Sequence, residues 1–130
     1  MKNQGSSFAR VAVRAASLCA SEGILPANAW DAAAADTFGS STSNRAKSCP
    51  RGAFLGLCED GLLKGIPRCE YTKSQLNKAY ATKAVAELRR NPSLAEDPKG
   101  LWSRVRGRDD MKHNAQMDVV LALWTSGLIR

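Results

Sequence analysis

The sequence predicts an all-α fold: a single compact domain of five to six helices, with no sheet. Three observations predict it. Apolar residues recur at three- and four-residue spacing along most of the chain, no segment alternates strictly as a half-buried strand would, and glycine and proline fall where helices stop and start. The chain has 130 residues, 44% of them apolar and 24% charged, which is enough for one continuous core. Residues 1–130 therefore read as one helical domain, with residues 1–5 expected to be disordered.

The elements follow in order. Phe8, Val11, Ala12, Ala15, Leu18 and Cys19 lie along one helical stripe that Gly23 ends. Leu25-Pro26 opens a second helix carrying Trp30 and the run Ala32 to Ala35, out to about Phe38. A polar loop follows, then a third helix from Pro50 with Phe54, Leu57 and Cys58 on one face. A long fourth helix runs from near Thr72 to Asn91-Pro92. Asp97-Pro98 is a cap followed by a first-turn proline, which predicts a short helix with Leu101 and Trp102. The last helix starts near Asn114 and sets Met117, Val120, Leu121, Trp124 and Leu128 on one stripe. The predicted core is Phe8, Val11, Leu18, Trp30, Phe54, Leu57, Leu76, Val85, Leu88, Trp102, Val120, Leu121 and Trp124.

One internal regularity crosses these elements. Residues 53–63 (AFLGLCEDGLL) align without gaps on residues 119–129 (VVLALWTSGLI), and residues 15–25 match more loosely. Each copy is an apolar helix stopped by a glycine and followed by two aliphatic residues. This is the pattern of a left-handed glycine cap whose next residue folds back on the last turn. It is either a duplicated helical hairpin or one stop signal used three times.

The net charge of +7 selects partners: nucleic acid, acidic proteins or membrane surfaces, as against a solvated basic surface. Residues 64–90 hold seven cations against Glu70 and Glu87. No apolar run approaches the roughly 20 residues of a membrane helix, and Arg10 and Arg14 interrupt any secretory signal. The expected location is the cytoplasm, where Cys19, Cys49, Cys58 and Cys69 would be free thiols.

The leading candidate site lies at residues 43–52. Cys49-Pro50 would start a helix with Cys49 as its cap, its sulfur facing unpaired N–H groups and the positive dipole end. Ser43, Asn44, Lys47, Arg51 and Gly52 surround that start, so Lys47, Arg51 and the amides of Arg51 and Gly52 would hold a phosphate or carboxylate. Gly52 implies close approach of another group to the backbone. The alternative is a connecting loop whose hydroxyls satisfy their own backbone. A second cluster, His113, Asn114 and Gln116, would support the site with hydrogen bonds; His113 is the only histidine, and Asn114 could instead cap the last helix above Asp118.

Cys49 as nucleophile with His113 as base and Asn114 as orienter is the enzymatic alternative. A zinc site from Cys49, Cys58, Cys69 and His113 has the ligand types without the spacing, so no metal and no cofactor is assigned. Residues 53–90 could form a stretched helix-turn-helix in which Thr72 caps a recognition helix and Lys73, Gln75, Asn77 and Lys78 reach phosphates and base edges. Its connection is about eight residues where three or four are usual, and Lys73, Lys78 and Lys83 spiral around the helix. The alanines of the second helix would also offer a smooth face to a protein partner or a second copy.

The stretches STS…KSCPRGAFLGLC (residues 41–58) and KHNAQMDVVLALW (residues 112–124) resemble a family of small bacterial proteins known only as a domain of unknown function, over about residues 27–129. The resemblance implies a self-contained bacterial, cytoplasmic domain. It transfers no chemistry, and lends no support to a cysteine protease, zinc finger or kinase. The reading is a non-catalytic protein that binds an anionic ligand (nucleic acid, a phosphorylated small molecule or an acidic protein) at the helix start after the 40–49 loop.

Overall fold

The computed structural model describes residues 7–68, 70–107 and 115–130. Helices account for the expected elements in the expected order: α1 (Ser7–Glu22), α2 (Pro26–Phe38), α4 (Ser48–Glu59), α5 (Gln75–Arg90), α6 (Pro98–Arg106) and α7 (Gln116–Thr125). To these the structure adds α3 (Thr42–Arg45), a single turn inside the polar loop, and a 3-10 turn at Pro92–Glu96. Among the described residues there is no sheet; an isolated antiparallel bridge joins Leu63 and Ile129. The expectation for residues 1–5 lies outside the described residues.

Local chemistry explains the boundaries. Pro26 and Pro98 sit in the first turns of α2 and α6, where a missing N–H costs nothing. The Asp97 carboxylate accepts from the Gly100 amide at 3.1 Å and caps α6 as expected. Three starts differ. α4 begins at Ser48 with Lys47 as its N-cap residue; Pro50 then stands third in the helix, where the N–H it lacks would have had no intrahelical acceptor. α5 begins at Gln75, since the Thr72 hydroxyl accepts from the Ser74 amide and holds a turn before the helix. At α7 the N-cap position is Ala115, left-handed at φ +67°.

The repeated stop signals form matching structures. Gly61 and Gly127 have φ of +71° and +74°. In each, the following leucine donates back across the last turn: Leu62 to the Leu57 carbonyl and Leu128 to the Leu123 carbonyl, both at 3.0 Å. The glycine amides bond Cys58 and Trp124 in the same way, completing two Schellman caps. The two copies then pair with each other. Lys64 N–H donates to Leu128 and Arg130 N–H to Leu62, at 2.9 and 2.8 Å, so the contact is a local pseudo-twofold between α4 and α7. The looser third copy ends at Gly23 (φ +69°) outside this pair.

The core centres on α7, which packs against α1, α4, α5, α6 and the 3-10 turn, while α1 packs on α2 and α4 on α5. Alanines line the α1–α2 seam: Ala12, Ala15, Ala29 and Ala33 are fully buried, while Ala32 on α2 stays exposed. Ring pairs tie the layers: Phe8–Phe38, Trp30–Phe54 and Tyr80–Trp102, at centroid separations of 5.0, 5.3 and 5.0 Å. Each is worth about 0.5–1.5 kcal/mol beyond its buried area.

Of the predicted core, Val11, Trp30, Phe54, Leu57, Val85, Leu88, Trp102 and Val120 are buried, and Phe8, Leu18, Leu121 and Trp124 are partly buried. Leu76 is not in the core: it is 48% exposed, because the buried stripe of α5 runs through Asn77, Tyr80, Ala81, Ala84, Val85 and Leu88 and leaves Leu76 to one side. Val119 and Leu123 occupy the centre that Leu121 and Trp124 were expected to fill.

Candidate functional site

The 40–49 segment connects α2 to α4 and satisfies much of its own polarity. The Asn44 amide donates to the Ser41 hydroxyl at 3.0 Å, the Arg45 and Ala46 N–H groups bond the carbonyls of Ser41 and Thr42, and Arg45 reaches the Gly39 carbonyl. Ser43 is exposed on α3. Among the described residues no side chain caps the first turn of α4, and the amides of Ser48 and Cys49 are too near the helix start for an intrahelical acceptor. Beside them lies an open cleft of 390 Å³ lined by Asp31, Thr42, Arg45 and Ala46.

Arg51 does not point at a vacant anion position. Its guanidinium forks onto the Asp31 carboxylate at 3.0 and 3.2 Å, tying α4 to α2. That pairing consumes the cation expected to hold a ligand and leaves Lys47 and Arg45 as the positive groups at the helix start. Cys49 stands in the first turn and is partly exposed; the capping role belongs to Lys47. His113 and Asn114 lie outside the described residues, as does Cys69.

Gly52 has the close neighbour its position implied, and the neighbour is protein. A Cβ there would meet the Ser74 Cβ and Oγ at 2.9 Å and the Asn77 Cβ at 3.1 Å. One turn on, a Cβ at Gly56 would meet the Lys78 Cβ at 2.5 Å and its Cα at 2.6 Å. The two glycines let α4 and the start of α5 lie nearly backbone to backbone.

That close approach disposes of much of the proposed recognition helix. Asn77 and Gln116, assigned to two different surfaces, meet inside the protein: the Gln116 amide donates to Asn77 Oδ1 at 3.1 Å, and Asn77 donates to Ser74 Oγ at 2.8 Å. Their relative exposures are 7% and 0%. Buried amides keep their place only when paired, and this pair locks α5 to α7. Lys78 is engaged as well, with Glu59 at 2.6 Å and Asp60 at 3.0 Å. Lys73 and Gln75 remain exposed, the Gln75 amide bonding the Thr72 carbonyl at 3.3 Å.

The residue that sequence reading missed is Glu59. One carboxylate oxygen accepts from the Tyr71 and Thr72 N–H groups at 2.9 and 3.1 Å, and the other from Lys78. The Lys78 ammonium first, then the two amides, push the Glu59 carboxyl down to about 2, and the Lys78 amine is raised in return. This carboxylate fastens the irregular 64–74 segment to both flanking helices. The only sequence signal was an acidic pair at the end of a helix, where the dipole disfavours it. Burial pushes the Cys58 and Cys19 thiols up, Cys58 by more, and Cys58 is wholly inside the core. Neither is presented to a ligand.

Fold and site together define a small helical protein whose polar features are mostly braces, with one uncapped helix start beside a cleft. The chain belongs to the family of unknown function DUF6979, whose profile matches residues 5–130. No curated protein and no solved structure matches it. The family match extends the resemblance seen over residues 27–129 to nearly the whole chain.

Proposed function

We propose that the protein is a non-catalytic binding protein of the bacterial cytoplasm that takes a small phosphorylated or carboxylated molecule at the start of α4. The observation that carries this reading is the uncapped first turn of α4 opening beside the cleft at Arg45 and Ala46. Helix-start amides supply fixed donors and a positive dipole end, and Lys47 and Arg45 supply charge. A cleft of 390 Å³ suits a small molecule. Arg51 contributes by neutralising Asp31, whose carboxylate lines the same cleft, rather than by direct contact.

The test is a titration of the nitrogen-15-labelled protein with inorganic phosphate, followed by amide correlation spectra. Saturable shifts centred on Ser48, Cys49 and Arg51, lost in Lys47→Ala/Arg45→Ala, are expected. Shifts that never saturate, or that centre elsewhere, would remove the reading. No helix among the described residues is long and apolar enough to cross a membrane.

A further inference from the structure

The net charge is segregated along the chain. Residues 7–60 hold five cations and five carboxylates and carry no net charge, whereas residues 64–107 hold ten cations and four carboxylates. Within that second stretch, Lys78 is neutralised by Glu59 and Asp60 at the start of α5. Lys64, Arg68 and Lys73 lie in the connection before α5, against Glu70, and residues 79–107, which span the rest of α5 and α6, hold six cations against Glu87, Glu96 and Asp97.

Two arginines from different helices mark the centre of this face. Arg90 on α5 and Arg104 on α6 both approach Glu87, at 3.5 and 4.0 Å. Glu87 is only 14% exposed, while the two arginine side chains are 74% and 57% exposed, so the guanidinium groups lie outermost. Lys83 lies one turn before Glu87 on the same stripe and is exposed, with no ion pair among the described residues. Arg89 donates to the backbone carbonyl of Arg130, which brings another cation to the edge of the face.

Helix dipoles explain part of this pattern. Arg89, Arg90, Arg104 and Arg106 occupy the last turns of α5 and α6, where cations are favoured. They do not explain Lys83 in mid-helix, or Lys99 in the first turn of α6, where the dipole opposes a cation. Those lysines add field without stabilising their helices.

We propose that the α5–α6 face docks the phosphate backbone of duplex nucleic acid without reading its sequence. Guanidinium forks match phosphate oxygens, and phosphate contact needs charge and no apolar anchor. A protein partner would require apolar or aromatic side chains at the centre of the contact. Among the described residues the exposed large hydrophobics are Leu25, at the α1–α2 turn, and Leu76, at the opposite end of α5. Single strands are gripped by stacking on exposed aromatics, and the aromatics of α5 and α6, Tyr80 and Trp102, are buried. A duplex is the occupant that this surface chemistry fits.

The experiment is fluorescence anisotropy with two labelled duplexes of unrelated sequence and one single strand, each of about 20 nucleotides in length, between 50 and 200 mM salt. Four phosphate contacts give a log–log salt slope near −3.6, a loss of about 100-fold over that range, and similar affinity for both duplexes. Lys83→Gln/Arg90→Gln/Arg104→Gln should flatten the slope by about 3, and Lys83→Gln alone by about 1. Arg10→Gln/Arg14→Gln, on the neutral half, should leave the slope unchanged. Thermal melts establish that each variant is folded, and Lys83→Gln breaks no ion pair seen among the described residues. Absence of duplex binding at 50 mM salt, wild-type binding by the folded triple variant, or tighter binding of the single strand would each overturn the proposal. So would polyglutamate binding the protein as tightly as duplex does at equal charge, which would assign the face to an acidic protein.

Discussion

Replacing Glu59 with glutamine tests the strongest electrostatic feature of the fold. The carboxylate takes two backbone N–H donors and the Lys78 ammonium, and its acidity moves from an ordinary 4.5 to about 2. At 1.36 kcal/mol per unit the shift corresponds to about 3 kcal/mol. Glu59 lies near the protein surface, so solvent screening discounts this figure. Glutamine can still accept from Tyr71 and Thr72 through its carbonyl but turns an N–H₂ toward Lys78, and a net loss of about 2 kcal/mol is expected at pH 7.

The sign of the pH dependence follows from the direction of the shift. A group more acidic in the folded state contributes fully above its unfolded value and loses that contribution as pH falls through the folded one. The gap between wild type and Glu59→Gln should therefore hold above about pH 5 and close toward pH 2. Urea denaturation followed by circular dichroism at pH 7, 4 and 2.5 measures it, and the other carboxylates cancel in the difference. A gap below about 0.5 kcal/mol at pH 7, or one that stays constant down to pH 2.5, would refute the reasoning. Lys78 behaves in the opposite sense: its raised value stabilises the fold below the unfolded value of 10.5, a contribution lost as pH rises through the folded value.

Two further substitutions probe the packing. Gly56→Ala would gain about 1 kcal/mol of helix propensity but drives a Cβ into the Lys78 backbone, so a net destabilisation of about 1–3 kcal/mol is expected in urea melts. An unchanged or raised midpoint would contradict the close approach of α4 and α5. Gln116→Leu removes the donor to Asn77 Oδ1 inside the core and should cost about 1–3 kcal/mol, with amide exchange faster in both α5 and α7. Exchange unchanged in α5 would show that the two helices are not joined through this pair.

The sequence was most legible where structure is local. Pro26, Asp97-Pro98, Gly23, Gly61 and Gly127 announced their helix ends, because an absent N–H or a positive φ acts within one turn. The doubled motif was visible as well, but its meaning was not: alignment shows that residues 53–63 and 119–129 are alike, and only folding lays the two caps side by side. The starts of α4 and α5 were displaced by two or three residues, because several first-turn placements satisfy proline and threonine equally well.

Site residues were less legible, and the errors share one cause. Asn77 and Gln116 are polar types that suit a recognition surface, yet each is buried because the other is there to bond it. Gly52 was correctly read as a point of close approach, with the neighbour, α5, unknown. By itself the sequence determined the all-helical class, the order of helices and the stop signals, since these depend on spacing and backbone conformation within a few residues. The tertiary structure alone decided which charges are free and which polar groups are hidden: Glu59 meets Lys78 across 19 positions, Asp31 meets Arg51 across 20 and Asn77 meets Gln116 across 39. Pairing over such separations is set by which helix faces come together, and no local pattern in the chain encodes it.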